Sequence, residues 1–438
     1  MQQIYRYPLS QQVGAACEPA VQPGGRVERG QKIAKIPAGK LGANLHTAVS
    51  GTVEAVTGDE ISIRADARQP DGFVPIEGED IVGLVREAGI VGMGGAGFPT
   101  HVKLGTKLAP GGAVLANCAE CEPILCHNVG RLERRPEQFC RGLALAMEAV
   151  GAERAIIAIK EKHVEAVRSV KNAIDPARME LHLLPDLYPM GEERAVVREC
   201  LGRLLPAGAL PAEANAVVIN AETLCRIAEA VDEKKPSISK DVTVAGRLNG
   251  NAVQRFYDVP AGTGMAELLR RAGGTAGAYG ELIRGGPFTG RRTEEDAPVT
   301  KTTGGVIAAM PFLRERRPIG LLVCACGPDR ERMEEIAASM GAPVAAVERC
   351  KNAEPSRGGN LKCRNPGCCP GQAERVLRLK KAGARALLIG NCTDCTNTVM
   401  TVAPRLGLAV HHCTDGALRA VNFPLIRRMK LNGADGRQ

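Results

Sequence analysis

The stretch 318–438 carries four short apolar runs, and cysteine follows every one of them. Gly320-Leu321-Leu322-Val323 leads to Cys324 and Cys326, and Val344-Ala345-Ala346-Val347 leads to Cys350. Ala386-Leu387-Leu388-Ile389 leads to Cys392 and Cys395, and Leu408-Ala409-Val410 leads to Cys413. Helical stretches such as Glu331 to Met340 and Ala373 to Lys381 lie between them. Strand–helix alternation predicts an α/β layer with parallel pairing. If the strands are parallel, their carboxyl ends share one edge, and the sulfurs gather there. Cys363, Cys368 and Cys369, in the loop Lys362 to Pro370, bring the group to nine of the sixteen cysteines. Cysteines serving only as small buried hydrophobes have no reason to choose strand ends repeatedly.

Composition narrows the setting. The 438 residues suggest two to four domains, and an apolar fraction of 44% supplies real cores. The net charge of +9 suits an anionic ligand or an acidic partner. No segment interleaves basic and aromatic residues, so nucleic acid is not indicated. No apolar run approaches the ~18 residues of a membrane span, and the start Met1-Gln2-Gln3-Ile4-Tyr5-Arg6-Tyr7 lacks the design of a signal peptide. These features predict a cytoplasmic chain without an integral membrane segment. There, many cysteines mean metal or redox chemistry more often than disulfides.

The expected fold is multidomain α/β. Residues 1–75 show short apolar runs cut by Gly/Pro turns, which predicts an all-β module of the lipoyl- or biotinyl-like barrel-sandwich type. Lys40 lies where such modules carry a modified lysine, but Gly39-Lys40-Leu41 is not Met-Lys-Met, so it reads as an unmodified lysine. Residues 76–235 alternate helices and strands. Residues 236–312 read as a small α+β unit of β-grasp size, and 318–438 as the cysteine-rich α/β domain.

Gly92-Met93-Gly94-Gly95-Ala96-Gly97-Phe98 matches G-x-G-x-x-G, yet a predicted helix precedes it, which disfavours a Rossmann site. Four glycines within six residues still let backbone amides approach a phosphate, and Lys103 follows with a positive charge. Asn117-Cys118-Ala119-Glu120-Cys121-Glu122-Pro123 and Asn220-Ala221-Glu222-Thr223 each follow a strand-like run, and Tyr188-Pro189-Met190-Gly191-Glu192-Glu193 lies between them. Ligands of open parallel sheets sit at carboxyl strand ends, where paired carboxylates can accept ribose hydroxyls. Singly, each acidic pair reads as a solvated helix start.

In this order, these motifs resemble the flavin subunit of respiratory complex I and the Rnf-C component of the Rnf ion-pumping complex. The likeness covers roughly residues 1–310, including a barrel sandwich before the flavin domain and a β-grasp of the SLBB type after it. It implies FMN held by the loop Gly92, Gly94, Gly95 and Gly97 with Lys103, Asn117, Glu120 and Asn220. It implies NADH contacted by Glu122 and Glu193 with Phe98 near its rings, and Tyr188 and Gly191 in the same cleft. Glu192 and Thr223 join the cofactor-binding candidates as members of those motifs.

Rnf-C proteins continue with two ferredoxin-like runs, C-x-x-C-x-x-C-x-x-x-C-P, and this chain has neither. A front of this type joined to a cysteine-rich end resembles the proline reductase-associated electron transfer proteins of amino-acid-fermenting bacteria. That implies D-proline reductase as the partner. The cobalamin reductases of propanediol microcompartments are related, but their barrel sandwich lies at the opposite end. The run Cys363 to Cys392 also resembles a small two-iron subunit of methanogen hydrogenase systems.

The sulfurs admit several chemistries. Cys324, Cys326, Cys350, Cys363, Cys368, Cys369, Cys392 and Cys395 are candidate iron–sulfur or zinc ligands. Cys392-Thr393-Asp394-Cys395 is alternatively a catalytic dithiol, because a helix starting at Thr396 would lower its thiol pKa. Cys118 and Cys121 form a second C-x-x-C, read as a dithiol or metal pair or as bystanders. Cys140, Cys200 and Cys225 fall in helical stretches and read as bystanders. The competing class is a non-enzymatic docking adaptor with structural zinc. A peripheral Rnf-type subunit is a third reading.

Overall fold

The computed structural model describes residues 3–356, 361–390 and 392–424. The chain opens with two facing antiparallel sheets. One has the order β1 (Ile4–Pro8), β7 (Glu60–Ala65), β6 (Gly51–Val56), β3 (Arg26–Val27), and the other joins β2 (Glu18–Pro19), β4 (Lys32–Lys35) and β5 (Leu45–His46). Strand β7 shows why: Ile61, Ile63 and Ala65 alternate inward with Glu60, Ser62 and Arg64. Tyr7, Ile33 and Leu45 complete this core.

A parallel sheet follows, in the order β10 (Met179–Leu184), β9 (Arg154–Lys160), β8 (Ala113–Cys118), β11 (Ala216–Asn220). Its strands are apolar runs because helices cover both faces. Helices α1 (Ile81–Glu87), α2 (Thr100–Leu104), α3 (His127–Arg134), α4 (Pro136–Val150), α5 (Val164–Ala173), α6 (Glu193–Leu201) and α7 (Ala221–Asp232) surround it. Helices α4 and α7 pack so closely at Gly142 that a Cβ there would lie 1.8 Å from the Leu224 carbonyl oxygen.

Next comes a five-stranded mixed sheet, β13 (Val253–Pro260), β12 (Ser239–Gly246), β16 (Gly305–Ala309), β14 (Glu281–Arg284), β15 (Arg291–Thr293), with α8 (Met265–Arg271) against it. A buried charge network joins it to the preceding module. Arg131 of α3 and Arg226 of α7 both pair with Asp241 and Asp258, Arg226 also meets Glu222 and Glu229, and Lys240 pairs with Glu222.

The last sheet has the order β18 (Val344–Arg349), β17 (Ile319–Val323), β21 (Ala386–Ile389), β22 (Ala409–His412). Every pairing in it is parallel, as the four apolar runs predicted. Helices α9 (Arg330–Met340), α10 (Ala373–Lys381) and α11 (Thr393–Val402) connect its strands, and α12 (Asp415–Ala420) follows β22. One detail differs from expectation: β19 (Ala353–Pro355) and β20 (Leu361–Cys363) form a hairpin, so Cys363 ends a strand rather than lying in a loop. Among the described residues, no helix is long and apolar enough to cross a membrane.

Candidate functional site

The glycine loop leaves α1 and turns back on itself, because Gly97 N donates to Gly92 O at 3.0 Å and Gly92 N to Phe98 O at 2.8 Å. Gly94, Gly95 and Ala96 are exposed at its tip. Among the described residues, their amides have no backbone hydrogen-bond acceptor. Gly95 has φ +107°, a conformation that favours glycine, with open space on its Cβ side. The loop is pinned to the start of α7, where Thr223 Oγ1 accepts from Met93 N at 3.0 Å. Asn220 caps that helix through the amides of Glu222 (3.0 Å) and Thr223 (3.3 Å). A Cβ on Gly94 would stand 3.2 Å from Asn220 Nδ2, so glycine keeps the loop low over the carboxyl end of β11.

Lys103 pairs with Glu193 at the start of α6 and donates to the Val218 carbonyl at 3.0 Å. Glu192 caps α6 through the amides of Arg194 (2.9 Å) and Ala195 (3.1 Å). Asn117, beside the end of β8, donates from Nδ2 to Gly191 O at 2.8 Å. A Cβ on Gly191 would lie 2.9 Å from the Cys121 Cβ, so only glycine allows this approach. The three motifs thus meet at one edge of the parallel sheet.

The other carboxylates serve backbone amides. Glu120 accepts from Asn128 N (2.7 Å) and Val129 N (3.2 Å) at the start of α3. Glu122 crosses to the mixed sheet and accepts from Phe288 N and Thr289 N, both at 2.8 Å. Burial pushes its carboxyl pKa up, and these hydrogen bonds oppose the shift. Both acids line a cavity of about 560 Å³ together with Cys121, Lys160, Tyr188 and Thr393. The residues expected in one cleft therefore divide between the glycine-loop side and this cavity. Glu222, inside the Asn-x-Glu-Thr motif, belongs to the buried charge network, and nothing in the sequence pattern distinguished it from a ribose-facing acid.

Tyr188 connects this edge to the last sheet. Its ring stacks on Phe288 at 3.8 Å with an interplanar angle of 10°. Its hydroxyl donates to the Cys326 carbonyl. Its backbone N donates to Thr393 Oγ1 at 3.0 Å, and Thr393 N donates back to its carbonyl at 3.2 Å.

The sulfurs do converge. Neighbouring thiols shift one another's acidity in the series Cys363, Cys326, Cys324, Cys350, Cys395 and Cys369. Gln372, fully buried at the start of α10, directs its Nε2 to Cys350 Sγ (3.2 Å) and more distantly to Cys369 Sγ (3.8 Å). Cys369 Sγ also accepts from Gly371 N at 3.3 Å and lies 3.2 Å from Thr398 Oγ1.

The thiol shifts at Cys392 and Cys395 run opposite to the lowering expected of a helix start. The helix starts at Thr393 rather than at the expected Thr396, so Cys392 caps α11, and burial pushes its thiol up to about 12. The Cys395 thiol is also raised, because it serves as the hydrogen-bond partner of Cys350 and Cys369. The lowered thiols are their partners. Hydrogen bonds from Cys324 and Cys395 hold Cys350 at about 3, and one from Cys395 brings Cys369 to about 6. Cys363 is lowered by Cys326.

All sixteen cysteines are free thiols. Among the described residues, no group of three or more His, Cys, Asp or Glu is arranged to hold a metal ion. Cys118 and Cys121 belong to different cores, which separates that C-x-x-C.

Comparison with known proteins places the front of the chain. A family model described as the Nuo51 FMN-binding domain matches residues 85–229, and the RnfC barrel sandwich hybrid domain matches residues 1–69. The C component of the Na(+)-translocating ferredoxin:NAD(+) oxidoreductase complex of Acetobacterium woodii is 33% identical over 322 residues, covering 68% of this chain and 72% of that one. The chain belongs to the RnfC family. Within that family it is a flavin-binding electron-transfer oxidoreductase. Cobalamin reductase PduS of Citrobacter freundii is 41% identical over 224 residues, which is 51% of this chain and 48% of that protein. A chain of an NAD+-reducing [NiFe]-hydrogenase aligns with a TM-score of 0.46 and 24% identity, over 52% of this chain and 46% of its own length.

The RnfC assignment agrees with the donor set at the glycine-loop edge. Exposed glycine amides, a lysine fixed beside them, and two asparagines at adjacent strand ends fit a phosphate-bearing flavin. FMN and NADH are the cofactors of this flavoprotein class.

Proposed function

We propose that the chain oxidises NADH at an FMN held between the glycine loop and the ends of β8 and β11. In this reading it delivers electrons through its C-terminal sulfurs, acting as a dithiol/disulfide couple or as ligands of an iron–sulfur cluster, to a partner reductase in the cytoplasm. The observation that carries it is Tyr188, which stands between β10 and α6 of the flavin domain and hydrogen-bonds Thr393 and the Cys326 carbonyl at the sulfur edge. FMN, when bound, supplies hydride acceptance and one-electron chemistry that no side chain here offers. Gly94, Gly95 and Ala96 present amides to its phosphate, and Asn117, Asn220 and Thr223 hold the strand ends that frame it. Glu193 keeps Lys103 in place and is the carboxylate we assign to the dinucleotide. Glu120 and Glu122 shape the adjoining cavity.

On the sulfur side, Cys350 and Cys369 are the thiolate positions, and Cys395, between them, holds the proton they share. The five-stranded module is read as a β-grasp of the SLBB type, from its order of second, first, fifth, third and fourth strand. We read the domains as residues 1–75, 76–235, 236–312 and 318–438.

D-proline reductase is the partner we favour, because the sulfur-rich end stands where Rnf-C proteins carry ferredoxin-like runs. A peripheral role in an Rnf-type NADH:ferredoxin complex is the second reading, favoured by the Acetobacterium relative. Anaerobic purification with flavin analysis tests the core of the proposal. Flavin absorbance and NADH-dependent dye reduction are expected. Absence of both after FMN reconstitution would sink it. Mixing the reduced protein with D-proline reductase or with ferredoxin then separates the two partners.

A further inference from the structure

Three modules meet at the tip of the glycine loop. Val13 of the barrel segment donates its amide to Gly97 O at 2.9 Å. From the mixed sheet, Thr302 comes so near that a Cβ on Gly97 would lie 3.1 Å from its Cγ2. The buried Lys301 ties the same joint together, donating to the carbonyls of Asn44 and Gly89. Between these parts lies a cavity of about 260 Å³, whose lining includes Gly95, Ala96, Ser10, Thr302 and Arg284.

Arg284 is the informative member. It is exposed at the end of β14, and among the described residues it takes part in no ion pair. Most arginines near it are committed: Arg291 pairs with Asp329, and Arg332 with Glu281. Arg284 instead borders a cavity whose lining also includes the glycine-loop tip, three hydroxyl side chains and the amides of Gln11 and Gln12. Neither Asp nor Glu lines that cavity. A guanidinium, two exposed glycine-loop residues and two hydroxyl side chains bring several donors together with no carboxylate among them, the chemistry that recognises a phosphate ester.

We propose that Arg284, with Ser10, Thr302 and the amides of Gly95 and Ala96, forms an organic-phosphate subsite contributed jointly by the three modules. It rests on the flavin and NADH reading. The phosphate ester belongs either to FMN or to the ADP-ribose half of the dinucleotide.

The test uses the full chain and the variants Arg284→Ala and Arg284→Lys. FMN affinity is measured by quenching of flavin fluorescence, and ADP-ribose affinity by calorimetry on the FMN-loaded protein. Neither needs turnover, so a failure of NADH oxidation would not mimic a failure of the subsite. Losing one charge-assisted contact should weaken binding about tenfold in Arg284→Ala, with partial recovery in Arg284→Lys. Weakening confined to FMN assigns the subsite to the flavin phosphate, and weakening confined to ADP-ribose assigns it to the dinucleotide. Unchanged affinity for both, in a variant that melts at the wild-type temperature, overturns the proposal. If Arg284→Ala melts early, Ser10→Ala on the exposed barrel segment gives the same two readouts, and unchanged values there overturn it equally.

Discussion

The two parallel sheets are built alike and equipped differently. Each has four strands, crossover helices and its chemistry at the carboxyl edge. At the edge of β8 to β11, the polar side chains are largely occupied in fixing the scaffold. Asn220 and Glu192 cap helices, Asn117 holds Gly191, and Glu120 and Glu122 serve backbone amides. What is left exposed is backbone at the loop tip. At the edge of β17 to β22, side chains contact one another, thiol to thiol. The first edge suits a ligand that arrives and is framed. The second gathers sulfur, which carries electrons as a dithiol/disulfide couple or as the ligands of a metal cluster. One fold rule, chemistry at carboxyl strand ends, thus places an exposed backbone loop at one edge and a gathering of thiols at the other.

The largest expected effect separates them outright. Replacing Cys350 by serine removes the central lowered thiol of the row. Delivery to the partner reductase should fall on the order of a hundredfold, the scale of a lost proton-transfer group. NADH-dependent dye reduction should be unchanged, because the glycine-loop edge is untouched. Equal loss of both activities would place Cys350 in the flavin step and erase the distinction between the edges.

The second effect concerns the joint that holds the cradle. Asp241 is fully buried between Arg131 and Arg226. Asp241→Asn leaves those guanidiniums underneutralised, and a loss of about 3–5 kcal/mol is expected in denaturant unfolding. These arginines, against the opposing pull of burial, hold its carboxyl below the usual aspartate range. The sign follows: its contribution is complete above the ordinary aspartate pKa, near 3.9, and disappears as pH falls through the lower folded value. Asp241→Asn should therefore flatten the acid limb of the stability profile. An unchanged limb would assign acid unfolding to other carboxylates.

How much of this was legible in the sequence follows from the range of each interaction. Apolar runs and the glycines between them are local signals, and they located the sheets, most of the helices and the gathering of sulfurs. Partner choice is not local. Nothing in Glu-Cys-Glu reveals that Glu122 reaches Phe288 and Thr289, 166 and 167 residues away. Glu222 and Glu193 look alike in sequence, yet one is sealed against Lys240 and the other is half-exposed beside Lys103. The C-x-x-C motif pointed to the right helix, but burial raises the Cys392 thiol and the neighbouring Cys350 and Cys369 raise that of Cys395, and both are tertiary properties.

The third effect is finer. Glu193→Ala frees Lys103 from its partner at the cradle. The KM for NADH should rise about tenfold, equivalent to one charge-assisted hydrogen bond, while FMN is retained. A KM unchanged within twofold would remove Glu193 from the dinucleotide site.

The smallest effect tests whether the two edges communicate. Tyr188→Phe keeps the ring that stacks on Phe288 and removes the hydroxyl that reaches the Cys326 carbonyl. One neutral hydrogen bond is lost, so stability should drop by only about 1 kcal/mol. The stacked pair and the backbone exchange with Thr393 still hold the junction. If the hydroxyl also sets the spacing between the edges, delivery to the partner should slow several-fold more than dye reduction does. Equal slowing of both would mark Tyr188 as packing alone, and the two edges would then be neighbours without being coupled.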